Sequence, residues 1–136
     1  MSKFDYRSEQ DQPIQTNSRN VLGGILETCS LNPITGFFRD GCCETGVNDV
    51  GRHIICAQVT DEFLKFSKAQ GNDLTTPQPN YKFPGLKDGD FWCLCIERWR
   101  DAMNAGCAPK VHLVATHEIA LERIPLETLK KYALDI

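Results

Sequence analysis

The 136-residue sequence lacks the features that mark several large classes of protein. It has no apolar run of about 18 residues, the length that a membrane-spanning helix needs. The segment from Met1 to Asn20 is polar and charged and contains no apolar stretch of a secretory signal. Lysine and arginine form no cluster, and the net charge is −3. We therefore expect neither nucleic acid nor a membrane as a partner.

Recognised catalytic motifs are missing as well. The sequence contains no phosphate-binding loop, no dinucleotide-binding fingerprint, no nucleophile elbow and no zinc-protease helix motif. The Cys-x(2–4)-Cys spacing of structural zinc sites is also absent, because the close cysteine pairs have the forms Cys-Cys and Cys-x-Cys. A metal site would therefore have to be assembled from distant segments.

The composition is that of an ordinary folded domain, with 41% hydrophobic and 24% charged residues. A chain of this length buries roughly two thirds of its unfolded surface and forms one core. We divide it into a flexible N-terminal arm, 1–19, and a single α+β domain, 20–136. We expect two layers, with a short sheet, about three helices and a long ordered glycine-rich loop over 31–51.

Local patterns predict several elements. The β-branched run over 53–59 predicts a buried strand. Thr60 is placed to cap a helix over 61–70, which ends at Gly71. The other predicted elements are shorter: a strand over 110–116, an element of either type over 120–124, and a closing helix over 126–133.

The secondary structure of the segment 90–105 determines where the sulfur atoms of Cys93 and Cys95 lie. Its apolar stripe favours a helix, in which Cys95 joins the core face and Cys93 lies in the first turn, where the helix dipole favours a thiolate. The alternative is a strand over 91–96. In that case both sulfurs lie on one face and can hold one metal ion together.

Cysteine is the unusual feature of the composition. The chain has seven: Cys29, Cys42, Cys43, Cys56, Cys93, Cys95 and Cys107. Without an export signal we expect a cytoplasmic, reducing setting, in which cysteines are metal ligands or catalytic thiols and do not form disulfides. A Cys42–Cys43 bond would be strained, because adjacent Cα atoms lie only about 3.8 Å apart. The alternative is that the cysteines pack as small hydrophobic residues.

These cysteines define the candidate site. Arg39 and Asp40 precede the Cys-Cys pair and are expected to bind substrate, with Arg39 favouring a thiolate. For catalysis, Cys43 or Cys93 is the expected nucleophile and His117 the base. The expected ligands of zinc or another thiophilic metal come from two boxes and one strand: Cys42, Cys43, Cys93, Cys95 and His53. The pattern His53-x-x-Cys56 is discounted, because residues three apart on a regular strand face opposite sides.

Several boxes occur in order along the chain: NVLGG from Asn20, TGFFRDGCC from Thr35, GNDL from Gly71, FPGL from Phe83, GDFWCLC from Gly89 and ATHE from Ala115. Together they resemble a family of small, mainly bacterial proteins known as a domain of unknown function. The resemblance covers about 20–135 and implies a compact single-domain α+β fold. It implies no activity, cofactor or catalytic residue.

Two functions from different classes remain. The first is a cysteine-centred site that binds a metal or reacts through a thiol. The second is a non-catalytic binding or regulatory module with purely structural cysteines, in which Phe37 and Phe38 form a contact patch. The expected partner is a small molecule or a protein, and a homodimer is one form that the second function would take.

Overall fold

A three-stranded antiparallel sheet forms the centre of the computed structural model, which describes residues 18–136. Strand β1 spans His53–Gln58, β2 spans Phe91–Cys95 and β3 spans Lys110–Val111, in the order β2-β1-β3. The middle residues of β1 are all buried, as expected for a central strand rich in β-branched residues. All but the last two residues of the predicted arm over 1–19 lie outside the described part of the chain.

Three α-helices pack beside the sheet: α1 over Asp61–Ala69, α2 over Ile96–Asn104 and α3 over Leu126–Lys130. The predicted cap of α1 is confirmed, because the Thr60 side chain accepts a hydrogen bond from the Phe63 N–H. Short 3-10 turns occupy 79–81, 113–115 and 118–122. The fold is α+β, as predicted. No helix within 18–136 combines the length and the apolar character that crossing a membrane requires.

The predicted helix over 90–105 is wrong in its first part, where the alternative strand is found. Residues 91–95 pair with β1, and the helix begins only at Ile96. Helical periodicity extends back to Trp92 in the sequence, but pairing with β1 satisfies the backbone of this segment and imposes a period of two. The strand expected over 110–116 is shorter than predicted, because the chain turns into the 3-10 helix at Leu113.

The two faces of the sheet differ in chemistry. One face belongs to the main hydrocarbon core, in which Trp99 and Phe63 are among the largest fully buried side chains. The Trp99 indole N–H donates to the Pro109 carbonyl at 3.0 Å, which satisfies its one polar group. The other face carries a second cluster composed mainly of sulfur: Cys29, Cys43, Cys56, Cys93 and Ala115, with Phe91 packed against it.

A register irregularity between His53 and Ile55 changes the face on which His53 lies. His53 pairs with Cys95, and Cys56 pairs with Cys93. Cys93 and Cys95 are two apart on β2 and therefore share a face of the sheet. Directly opposed residues of an antiparallel pair also share a face. His53 therefore lies on the sulfur face together with Cys56. The expectation that the two residues face opposite sides is wrong, because the irregularity adds one residue to β1.

Candidate functional site

Four of the seven cysteines form two disulfides, contrary to the expectation that no disulfides form. Cys29 is bonded to Cys56, and Cys43 is bonded to Cys93. The Cα–Cα separations are 5.7 and 5.4 Å, within the usual range for disulfides. Folding brings these residues together from positions 27 and 50 apart in the chain, so no local spacing could have indicated the pairs.

The two disulfides lie against each other. The sulfur atoms of Cys29, Cys43 and Cys93 are all within 4.8 Å of one another, and Cys56 is bonded to Cys29. All four residues are buried. Two buried threonine hydroxyls accept hydrogen bonds from the backbone of the paired strands. Thr35 accepts from the Cys93 N–H, and Thr116 accepts from the Cys56 N–H. The cluster therefore joins two strand residues, Cys56 and Cys93, to two loop residues, Cys29 and Cys43.

The predicted metal ligands are only partly brought together. Within 18–136, the group with the close spacing of a metal site contains Cys43 and Cys93, and its third member is Cys29, which the sequence analysis did not select. Cys42, Cys95 and His53 lie outside this group. Neither Cys29 nor Cys56 has a close cysteine neighbour in the sequence; no pattern indicated Cys29, and Cys56 occurred only in the discounted pattern His53-x-x-Cys56.

The segment 35–43 folds into a tight loop that carries Arg39. Gly36 has a φ of 102°, and a side chain there would collide with the Cys42 carbonyl, so only glycine fits. The Gly41 N–H donates to the Thr35 carbonyl at 2.9 Å and closes the loop. Arg39 itself adopts a φ of 55°. Its guanidinium carbon lies 5.2 Å from the centre of the Trp92 ring, a cation–π contact.

Asp49 holds His53 in a fixed orientation. The Asp49 carboxylate is fully buried, and one of its oxygens lies 2.6 Å from Nδ1 of His53. Its second oxygen accepts from the His53 backbone N–H and from the Thr45 hydroxyl. Because a carboxylate can only accept, the neutral His53 ring carries its proton on Nδ1 and leaves Nε2 unprotonated. Phe37 stacks on the ring at 6.4 Å.

A groove runs beside β2. It consists of two depressions of about 410 Å³ each, which share Arg39, His53, Tyr81, Trp92 and Cys93 as lining residues. Cys95 and Arg98 line the first depression only. Cys95 is a free thiol of intermediate exposure, paired across the strands with His53. The groove therefore brings together a free thiol, an oriented imidazole and two guanidinium groups.

His117, the predicted base, does not line the groove. Its Nδ1 accepts from the Ile119 N–H at 3.1 Å, and its Nε2 lies 3.9 Å from the Glu44 carboxylate. Burial lowers the pKa of His117, so its ring is neutral near neutral pH. The expected thiol partners, Cys43 and Cys93, are bonded to each other and carry no free thiol.

Glu44 is an unusual buried carboxyl. One oxygen accepts from the Ser18 hydroxyl at 2.6 Å, whereas the other is buried and has no hydrogen-bond partner among residues 18–136. Burial raises the pKa of Glu44, with the Ser18 hydrogen bond acting in the opposite direction. The carboxyl and His117 thus form a buried polar pair outside the groove, since neither lines it.

Asp40 and Cys42, the remaining predicted site residues, do not line the groove, and neither does the free thiol Cys107. Asp40 accepts from the Cys42 N–H at 3.0 Å and stabilises the loop. The pKa of the Cys42 thiol is raised by burial and by the negative charge of Asp40. The pKa of Cys107 is raised by burial and by Glu62. Both environments disfavour a thiolate, so neither thiol is the favoured nucleophile of the molecule.

The comparisons with known proteins match the chain to a family whose description states no activity. A family model described as an uncharacterized protein conserved in bacteria (DUF2237) matches residues 19–133. This match confirms the resemblance inferred from the sequence boxes. No curated protein matches the chain.

Proposed function

Since the chain belongs to the DUF2237 family, whose description states no activity, we propose a function from the groove itself: a thiol-reactive site with Cys95 as nucleophile. In this site His53 accepts the thiol proton through Nε2. Asp49 orients His53 and stabilises the positive charge that the ring gains.

The observation that carries the proposal is the pairing of His53 with Cys95 across β1 and β2. Opposed residues in an antiparallel pair have Cβ atoms about 4.5–5.5 Å apart, which is within reach of a thiol and an imidazole. Both residues line the same depression, so an incoming molecule meets them together. The register irregularity beside His53 is what gives the ring this position.

In this arrangement Cys95 is the nucleophile, His53 is the base and Asp49 is the acid that orients the base. Attack by Cys95 forms a bond from its sulfur to an electrophilic carbon, while the thiol proton moves to Nε2 of His53. The bond to the leaving group breaks, and the leaving group departs with its electron pair. Arg39, predicted as a substrate-binding residue, lines the groove and is kept in that role.

The proposal is tested by brief treatment of the native protein with iodoacetamide, followed by peptide mass spectrometry. We expect Cys95 to react at least about tenfold faster than Cys107, because His53 assists Cys95, whereas burial and Glu62 disfavour the Cys107 thiolate. The Cys95→Ser variant should lose the fast phase, and the matched Cys107→Ser variant should keep it. Equal rates at Cys95 and Cys107 would overturn the proposal.

A second candidate function is metal binding by the sulfur cluster, favoured by the 4.8 Å grouping of Cys29, Cys43 and Cys93. In a reducing cytoplasm, a thiol reductant would convert the two disulfides to four thiols, with Cys56 as the fourth. Zinc coordinates four thiolates at about 2.3 Å in a tetrahedron, and three of these four sulfurs already lie within 4.8 Å of one another.

This candidate predicts that the reduced chain, dialysed against zinc, retains one ion per molecule, and that the oxidised chain retains none. Cys29→Ser should abolish retention, whereas Cys42→Ser, the matched control outside the cluster, should not. Zinc retained equally by the oxidised chain, or absent from the reduced chain, would exclude the cluster as a metal site.

A further inference from the structure

The charge of the groove differs from that of the chain. The whole sequence has a net charge of −3, yet the residues lining the groove include Arg39, Arg98 and His53 and, among residues 18–136, no aspartate or glutamate. The Asp49 carboxylate is fully buried behind His53 and does not line the groove. The groove therefore presents positive charge on a mildly acidic protein.

Neither guanidinium is neutralised by a carboxylate of the described residues. Arg39 donates to the Gly36 carbonyl and Arg98 to the Gln70 carbonyl, each at 3.3 Å. These acceptors are neutral, so both positive charges remain available to a ligand. By contrast, Arg100 on the same helix as Arg98 is paired with Glu97 at 2.7 Å and does not line the groove.

Aromatic side chains form much of the remaining wall. Trp92 and Phe83 pack together at 5.2 Å between ring centres and are almost fully buried. Tyr81 is 72% exposed at the edge of the groove and lines both depressions. A wall of this kind suits a flat apolar group, since aromatic rings favour offset or edge contacts with one another.

We infer that the groove binds a small organic anion, in which a carboxylate or phosphate is held by Arg39 and Arg98 and an apolar portion lies against the aromatic wall. Guanidinium groups bind both anions through paired, charge-assisted hydrogen bonds. This inference extends the proposed function by naming a class of substrate. It rests on the proposed function in one respect, which is that the bound anion carries the electrophilic carbon that Cys95 attacks.

The test compares two alkylating agents that differ in charge, iodoacetate and iodoacetamide. With either one, the Cys95 sulfur forms a bond to the methylene carbon, iodide leaves with the carbon–iodine electron pair, and the thiol proton passes to His53. The measured quantity is the ratio of the iodoacetate rate to the iodoacetamide rate at Cys95. The same ratio in the unfolded chain gives the reference value.

We expect the ratio in the native protein to exceed the unfolded reference by about tenfold, because the two guanidinium groups attract the anionic reagent. Arg39→Gln and Arg98→Gln should each reduce it, and the double variant should return it to the reference. Arg100→Gln, the matched control on α2, should leave it unchanged. A native ratio equal to the reference, or a ratio insensitive to Arg39 and Arg98, would overturn the inference.

A binding measurement separates failure of this inference from failure of the proposed function. Phenylacetate and phenyl phosphate should shift the indole signal of Trp92 in NMR spectra, whereas neutral phenylacetamide should not. The indole of Trp99, buried and bonded to Pro109, serves as the internal reference. Shifts with a slow Cys95 would contradict only the thiol chemistry. A reactive Cys95 without shifts from either anion would contradict only the anion site.

Discussion

Replacing Cys43 and Cys93 together by alanine is expected to lower the free energy of unfolding by about 4 kcal/mol. The bond closes a loop between residues 50 apart, and its loss frees the unfolded chain to occupy many more conformations. The matching change at Cys29 and Cys56, which are 27 apart, should cost about 3.5 kcal/mol. Cys43 lies between Cys29 and Cys56 in the chain, so the two loops overlap and the costs will not simply add.

Urea unfolding followed by circular dichroism measures these differences. Cys42→Ala is the control, because Cys42 is the sequence neighbour of Cys43 but has a free thiol. It should change the free energy by less than about 1 kcal/mol, as is usual for partly exposed positions. If both double variants unfold at the wild-type urea concentration, the two disulfides do not stabilise the fold.

Replacing His53 by alanine is expected to slow alkylation of Cys95 by iodoacetamide at least about tenfold, because the thiol loses its proton acceptor. The side chain of His53 is 43% exposed, but its removal leaves one oxygen of the fully buried Asp49 carboxylate without its partner, so the fold of this variant is checked by circular dichroism. Asp49→Asn should also slow the reaction, since an amide can donate to Nδ1 and shift the ring proton to Nε2, which can then no longer accept the thiol proton.

The control for this prediction is His112→Ala, which removes a histidine outside the groove that faces Asp135 and Phe91. Its Cys95 rate should equal that of the wild type. Circular dichroism identifies any loss of rate that comes from unfolding in either variant, and the prediction is judged on the variant that keeps the wild-type spectrum. A Cys95 rate that stays unchanged without His53 would mean that the imidazole takes no part in the reaction.

Elements determined by local chemistry could be predicted from the sequence. The cap at Thr60 and the acidic first turn of α1 indicate a helix start whatever surrounds it. The β-branched residues of β1 likewise favour a strand on their own. The boundary between β2 and α2 could not be placed, because the strand exists only through its pairing with β1, a segment more than 30 residues earlier.

The candidate site was harder to predict than the fold, because its geometry is set by contacts between distant segments. Even after four of the seven cysteines are chosen they can be paired in three ways, and spacing alone selects neither the four nor their pairing. The position of His53 depends on one extra residue in the β1 register, which no periodicity reveals. Arg39, Cys95 and His53 were predicted from local patterns, whereas the Asp49 and His53 pair, four residues apart at the start of the strand, was not predicted.

The orientation of His53 is the feature on which the proposed chemistry depends, and long-range proton–nitrogen NMR correlation of its imidazole reports it directly. The expected spectrum is that of a neutral ring with its proton on Nδ1, donated to Asp49, and with an unprotonated Nε2. A ring protonated on Nε2 instead would contradict the assignment of His53 as the base of the thiol.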